Sequence, residues 1–140
     1  MNYSRIALAT LGGTVAYFFV GFLLFAILPF MVNEFRKYPA VYRAQDEIKK
    51  VMPAGMLAML IAIGALAVLY ALMYRGGSGL VEGALFGALI GVFAIGSFVV
   101  HNYVNLQIGW KLTVLQAVAY FCEWVIVGIV MGMIYRPVAR

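Results

Sequence analysis

The chain has 140 residues, of which 66% are hydrophobic and only 11% charged, with a formal net charge of +5 and a mean hydropathy of +1.01. A soluble domain is usually about 45–50% apolar and about 25% charged, and a globule this small leaves too much surface exposed to hide such an excess, so a soluble fold is excluded. The basic residues sit between and beyond the apolar runs rather than on one polar face, which excludes nucleic-acid binding.

Four long apolar runs predict an all-α integral membrane protein forming a single membrane domain over residues 1–140. Its four transmembrane helices, about 6–30, 53–74, 80–103 and 112–135, would form an antiparallel bundle. The first run, Ile6 to Phe30, ends at Pro29-Phe30-Met31 without a small-residue cleavage pattern and is longer than a signal-peptide core, so an uncleaved span is expected. Thr10, Thr14 and Tyr17 share one helical face; the threonine hydroxyls are expected to bond back to their own helix and the tyrosine to pack.

The only sizeable polar stretch, Asn33 to Met52, pairs Arg43 with Glu47 and Asp46 with Lys50 at i,i+4. With Pro39 suited to a first turn and Pro53 to a boundary, it predicts a short amphipathic interfacial helix between the first and second spans. Arg36, Lys37, Arg43, Lys49 and Lys50 would reach lipid headgroups. The second run, Pro53 to Tyr74, carries no charge or amide and reads as lipid-facing scaffold, with Tyr70 and Tyr74 in an aromatic belt. Arg75-Gly76-Gly77-Ser78-Gly79 then makes a tight turn.

In the third run Gly83, Gly87 and Gly91 recur every four residues, a small-xxx-small pattern that lets membrane helices approach closely. Gly128 and Gly132 repeat it in the fourth run, so the two faces either meet each other or serve an oligomer. His101 and Asn102 close the third run; His101 reads as a hydrogen-bonded interface residue, with an axial ligand to haem or chlorophyll as the alternative. No other cofactor is expected, and single Cys122 and His101 exclude an internal disulfide, a cysteine cluster and a multi-histidine metal site within one chain. A short connection through Trp110 and Lys111 makes the last two spans a hairpin.

The fourth run, Leu112 to Tyr135, carries Glu123 at its middle, about 16 Å along the helix from Leu112 and so near the midplane of a hydrocarbon core about 30 Å thick. Ser97 and Tyr17 fall at the same depth in neighbouring spans, and Tyr120 and Gln116 share the Glu123 face. With His101 and Asn102 these residues suggest a polar seam from the His101 loop towards the midplane. An ionised carboxyl group there is expensive. Two readings stay open: a protonated carboxyl hydrogen-bonded to a tyrosine or serine, or an acid that couples protons or binds a cation.

The segments GALFGALIGVFAIGSFVVHNYVNL and GWKLTVLQAVAYFCEWVIVGIVMGMIYRP resemble the C-terminal half of small bacterial four-span proteins, the family of domain of unknown function seventeen sixty-one. The resemblance implies a four-helix membrane fold and no established activity. In size and span number the chain also resembles the small multidrug-resistance exporters, which carry their essential acid in the first span rather than the fourth.

The expected function is an accessory or assembly subunit of a larger membrane complex, packing on other subunits or on itself through its glycine-rich faces; a small oligomeric proton-coupled transporter using Glu123 is the alternative. No enzyme is expected, since no nucleophile–base pair or metal set can be assembled. The expected location is a bacterial inner membrane. Six basic residues in the Asn33–Met52 loop and at Lys111 face four on the other side, Arg5, Arg75, Arg136 and Arg140, which puts both termini outside.

Overall fold

A computed structural model describes residues 1–136. Four helical spans cross back and forth. The first, α1 (Tyr3–Gly21), starts at Asn2, whose side chain accepts from the Arg5 amide at 3.1 Å, a standard use of asparagine at a helix start. It widens into a π-helical turn, Phe22–Ile27, closed by the Leu28 amide on the Leu23 carbonyl at 3.3 Å. Leu28 itself is extended, with φ −65° and ψ 116°, because a residue before proline avoids the helical region. Pro29 then opens α2 (Pro29–Phe35), where its missing N–H leaves no bond unmade.

The region expected to hold an interfacial helix is organised differently. Its short helix is α2, which begins before Asn33, and after a turn-rich connection residues 45–52 form the leading turns of α3 (Gln45–Met73). Pro53 therefore lies inside a helix of 29 residues rather than at its boundary. Proline in a helix interior frees the carbonyl four residues back, here that of Lys49. Lys49 and Pro53 are exposed at the polar end of the span, where water or headgroups can take up that carbonyl. Asp46 and Glu47 occupy the first turn, where negative charge favours the helix dipole.

After a turn in which Gly76 adopts φ +88°, α4 (Gly79–Ala94) returns across the membrane. It runs through a second π-helical turn, Ile95–Val100, into α5 (His101–Asn105). The Ser97 hydroxyl donates to the Phe93 carbonyl at 2.7 Å. That carbonyl is the one the Ser97 amide would use in a regular α-helix, so the side chain competes with the ladder at this turn. The last helix, α6 (Trp110–Tyr135), closes the bundle.

The two glycine faces meet inside the chain. A methyl group on Gly79, Gly83 or Gly87 would collide with the backbone at Gly132, Gly128 or Trp124, and one on Gly91 would press on Phe121 at 3.1 Å. α4 and α6 thus touch backbone to backbone over three turns, the close approach that small residues permit in a membrane.

α3 leans on α1 and is fixed at one end only. Ile63 sits against Gly13 and Gly64 against Thr10, yet every described side chain from 46 to 58 is exposed. The threonines of α1 bond back as expected, Thr10 to the Ile6 carbonyl at 2.9 Å and Thr14 to the Thr10 carbonyl at 2.8 Å.

The ends of the bundle are fastened separately. On the side of the 36–44 and 106–109 connections, here the loop side, Glu34 is 5% exposed and pairs with Lys37 at 2.6 Å and Lys111 at 2.8 Å. The Gly109 amide donates to the Tyr38 hydroxyl at 2.9 Å. On the terminal side Arg5 donates to the Ile134 carbonyl at 3.0 Å, one of the carbonyls a helix end leaves unpaired. Tyr70, expected in an aromatic belt, instead turns inward: it is 2% exposed and packs edge-on against Phe86 and Tyr135.

Candidate intramembrane carboxyl site

Glu123 is buried at 1% exposure in the middle of α6. Its Oε2 has no hydrogen-bond partner among the described residues. The other carboxylate oxygen, Oε1, lies against Gly21, so close that a methyl group on Gly21 would force the carboxyl group to move. Gly21 is the last α-helical residue of α1 before its π-helical turn. A small residue and a locally widened helix thus make room for the acid, and π-helical turns recur at functional sites.

Tyr17 and Tyr120 lie near the carboxyl group and belong to a run of packed rings. Trp124 packs on Tyr17 with ring centroids 5.4 Å apart. Tyr120, one turn before Glu123, lies between Phe25 at 5.0 Å and Phe98 at 5.6 Å. Phe25 belongs to the π-helical turn of α1 and Phe98 to that of the third span. The two irregular turns therefore deliver the two rings that hold Tyr120.

The polar seam runs elsewhere than its sequence spacing suggests. Gln116 is buried at 4% exposure, one turn beyond Tyr120, but its neighbour is Tyr42 of the loop-side connection. Burial pushes the Tyr42 hydroxyl above its ordinary range, with the Gln116 amide opposing. Neither the Tyr42 hydroxyl nor the Gln116 Oε1 completes a hydrogen bond among the described residues. His101 is exposed and its backbone carbonyl accepts from Asn105 at 3.0 Å; Asn102 is half-buried, and Ser97 is exposed and spent on its own helix. A one-dimensional depth argument puts these residues level with α6 but not on the face that meets it. Tyr42 was missed because it lies far away in sequence; its only signal was an aromatic residue within a basic loop.

Of the predicted headgroup contacts, Arg36, Lys37, Arg43, Lys49 and Lys50 are all exposed, with Lys37 engaged by Glu34. Arg140 lies outside the described residues. Among the described residues no group of three or more His, Cys, Asp and Glu side chains is placed to hold a metal ion.

Fold and site together define a multi-pass membrane protein of four helical spans with a buried carboxyl group, Glu123, in the middle of the last. Its family follows from comparison: residues 8–132 match the family described as "Protein of unknown function (DUF1761)", and the chain belongs to it. The match extends through the N-terminal half as well. No curated protein and no solved structure shows a significant match.

Proposed function

We propose that the protein is a small proton-coupled membrane transporter in which Glu123 exchanges a proton for a monovalent cation. One observation carries this reading: a carboxyl group buried at mid-span with an oxygen left unpaired. A buried polar group kept for stability alone would be expected to have its partners satisfied, and ionisable residues at bilayer depth tend to mark ion or proton pathways. Tyr17 and Tyr120 lie near it, and aromatic rings attract organic cations.

Binding of tetraphenylphosphonium to the purified protein in weakly buffered detergent tests the idea. Release of about one proton per cation bound, absent in Glu123→Gln, is the expected result. Binding without proton release, or release that persists in Glu123→Gln, contradicts it.

A second reading, an accessory or assembly subunit of a larger complex, is favoured by the leading half of α3, whose apolar side chains Ile48, Val51, Met52, Met56 and Leu57 are exposed. The glycine faces are occupied within the chain, so such a partner, or a second copy, would meet α3 instead. Native isolation in mild detergent decides this: a reproducible monomer without co-purifying chains removes it. Both readings go with a bacterial inner membrane, contact with membrane lipids and no enzymatic activity as parts of the same proposal. The positive-inside rule puts the loop side in the cytoplasm and the termini outside.

A further inference from the structure

α1 and α3 touch closely at one level, where Ile63 sits against Gly13 and Gly64 against Thr10. From there towards the loop side a groove of about 530 Å³ opens between them. It is lined by Thr14, Val15 and Phe18 of α1 and by Met56, Leu57 and Leu60 of α3. That volume falls within the range of small-molecule sites, about 300–1,000 Å³. The lining offers nothing to a polar ligand: its one hydroxyl, on Thr14, donates to the Thr10 carbonyl at 2.8 Å. The groove is also open to the surrounding lipid, since Val15 is 69% and Leu57 59% exposed.

The α3 wall of the groove leads upward to charge. Lys49, Met56 and Leu60 fall at i, i+7 and i+11 on one face of the helix, and Lys50 and Leu57 at i and i+7 beside them. Lys49 therefore stands about 10 Å above Met56, at the loop-side mouth. Both lysines are exposed. Among the described residues the only ion pairs are those of Glu34 with Lys37 and Lys111. The i,i+4 spacing of Asp46 and Lys50 does not close into a pair, and neither lysine is neutralised by Asp46 or Glu47 of the same first turns.

A hydrocarbon groove that ends in two unpaired cations at the membrane surface has the two-part chemistry of a phospholipid. An acyl chain fills the apolar part, and the lysines meet the headgroup phosphate. Lysine stems can run along apolar surface while the ammonium groups reach the interface. Basic residues at that level favour anionic over neutral lipids. A docking protein helix would account for the apolar wall but not for the free charges above it.

We propose that the groove between α1 and α3 is a binding site for one anionic phospholipid, with an acyl chain between Phe18 and Leu60 and its headgroup at Lys49 and Lys50. The site is separate from Glu123 and does not rest on the role assigned to that residue.

Native mass spectrometry of the full chain tests it, after incubation in mild detergent with equal amounts of phosphatidylglycerol and phosphatidylcholine bearing the same acyl chains. Wild type should retain one phosphatidylglycerol per chain, preferred at least about tenfold over phosphatidylcholine. Lys49→Gln and Lys50→Gln should each cut that preference about fivefold. Met56→Trp, at an exposed position, fills the groove and should lower retention of both lipids about tenfold. Arg75→Gln, an exposed base beyond the opposite end of α3, should behave as wild type. Equal retention of the two lipids, a preference that survives loss of both lysines, or Met56→Trp retention equal to wild type overturns the site. So does a lipid-free dimer that Met56→Trp abolishes, which would give the groove to a second copy.

Discussion

At the scale of single residues, the distinguishing feature is a carboxyl group whose Oε2 has no partner among the described residues. A satisfied buried acid would be harmful to remove; one left partly unpaired imposes a desolvation cost with little return. Replacing such a group by an apolar one of similar shape is near neutral or stabilising. Glu123→Leu should therefore raise thermal stability in detergent, by the order of 1–3 kcal/mol, while abolishing any proton exchange. A marked loss of stability would mean that Glu123 serves the fold.

Glu34 is the contrasting acid. Lys111 and Lys37 beside it hold its carboxyl group below the usual carboxylate range. A depressed folded value means that the pairing contributes stability above the unfolded value, near pH 4.5, and loses it as pH falls through the lower folded value. Melting temperatures of wild type and Glu34→Gln should differ at neutral pH and converge in acid. A constant difference across that range would show that the ion pairs do not act.

At the scale of elements, the hairpin of α4 and α6 is the rigid part and α3 the loosely held one. Adding a methyl group at Gly83 would drive it into the Gly128 backbone, which cannot rotate away as a side chain can. Gly83→Ala is expected to destabilise by about 1–3 kcal/mol, the usual range for overpacking, measured by thermal unfolding in detergent. Gly55, with nothing near its would-be methyl group, is the control: Gly55→Ala should be neutral or slightly stabilising, since alanine favours helix over glycine. Equal effects at the two sites would contradict the packing described.

How far the sequence spoke also divides at this scale. Span number, the hairpin and the burial of Glu123 were legible because hydropathy is a local pattern; the four-residue glycine repeat marked two packing faces but left open whether they meet within the chain. The path of residues 33–52 was not: i,i+4 charge pairs occur in the first turns of a long helix as readily as in a separate surface helix, and Pro53 does not distinguish them. His101 was misplaced for a related reason. Depth along a helix follows from counting residues, but the face it presents depends on helix rotation, and a π-helical turn immediately before His101 shifts that rotation by more than the pattern can reveal.

At the scale of the whole molecule, the two ends are fastened differently: an aromatic cluster of Tyr70, Tyr74, Phe86 and Tyr135 at the terminal side, and the ion pairs of Glu34 with Lys37 and Lys111 beside an apolar cluster of Met31, Ile108, Leu112 and Ala119 at the loop side. Glu123 lies between these ends, buried at 1% exposure. A transport cycle needs a second state in which the access reverses. Under the transport reading the element with most room to shift is α3, every described side chain of which from 46 to 58 is exposed.

The most direct measurement is proton movement in liposomes containing the purified protein, driven by an imposed tetraphenylphosphonium gradient and read with an internal pH dye. Wild type should move protons against the cation, and Glu123→Gln, folded and inserted to the same extent, should lose that movement to the level of empty liposomes. Proton movement that survives in Glu123→Gln, or that wild type never shows above empty liposomes, would contradict the role assigned to Glu123.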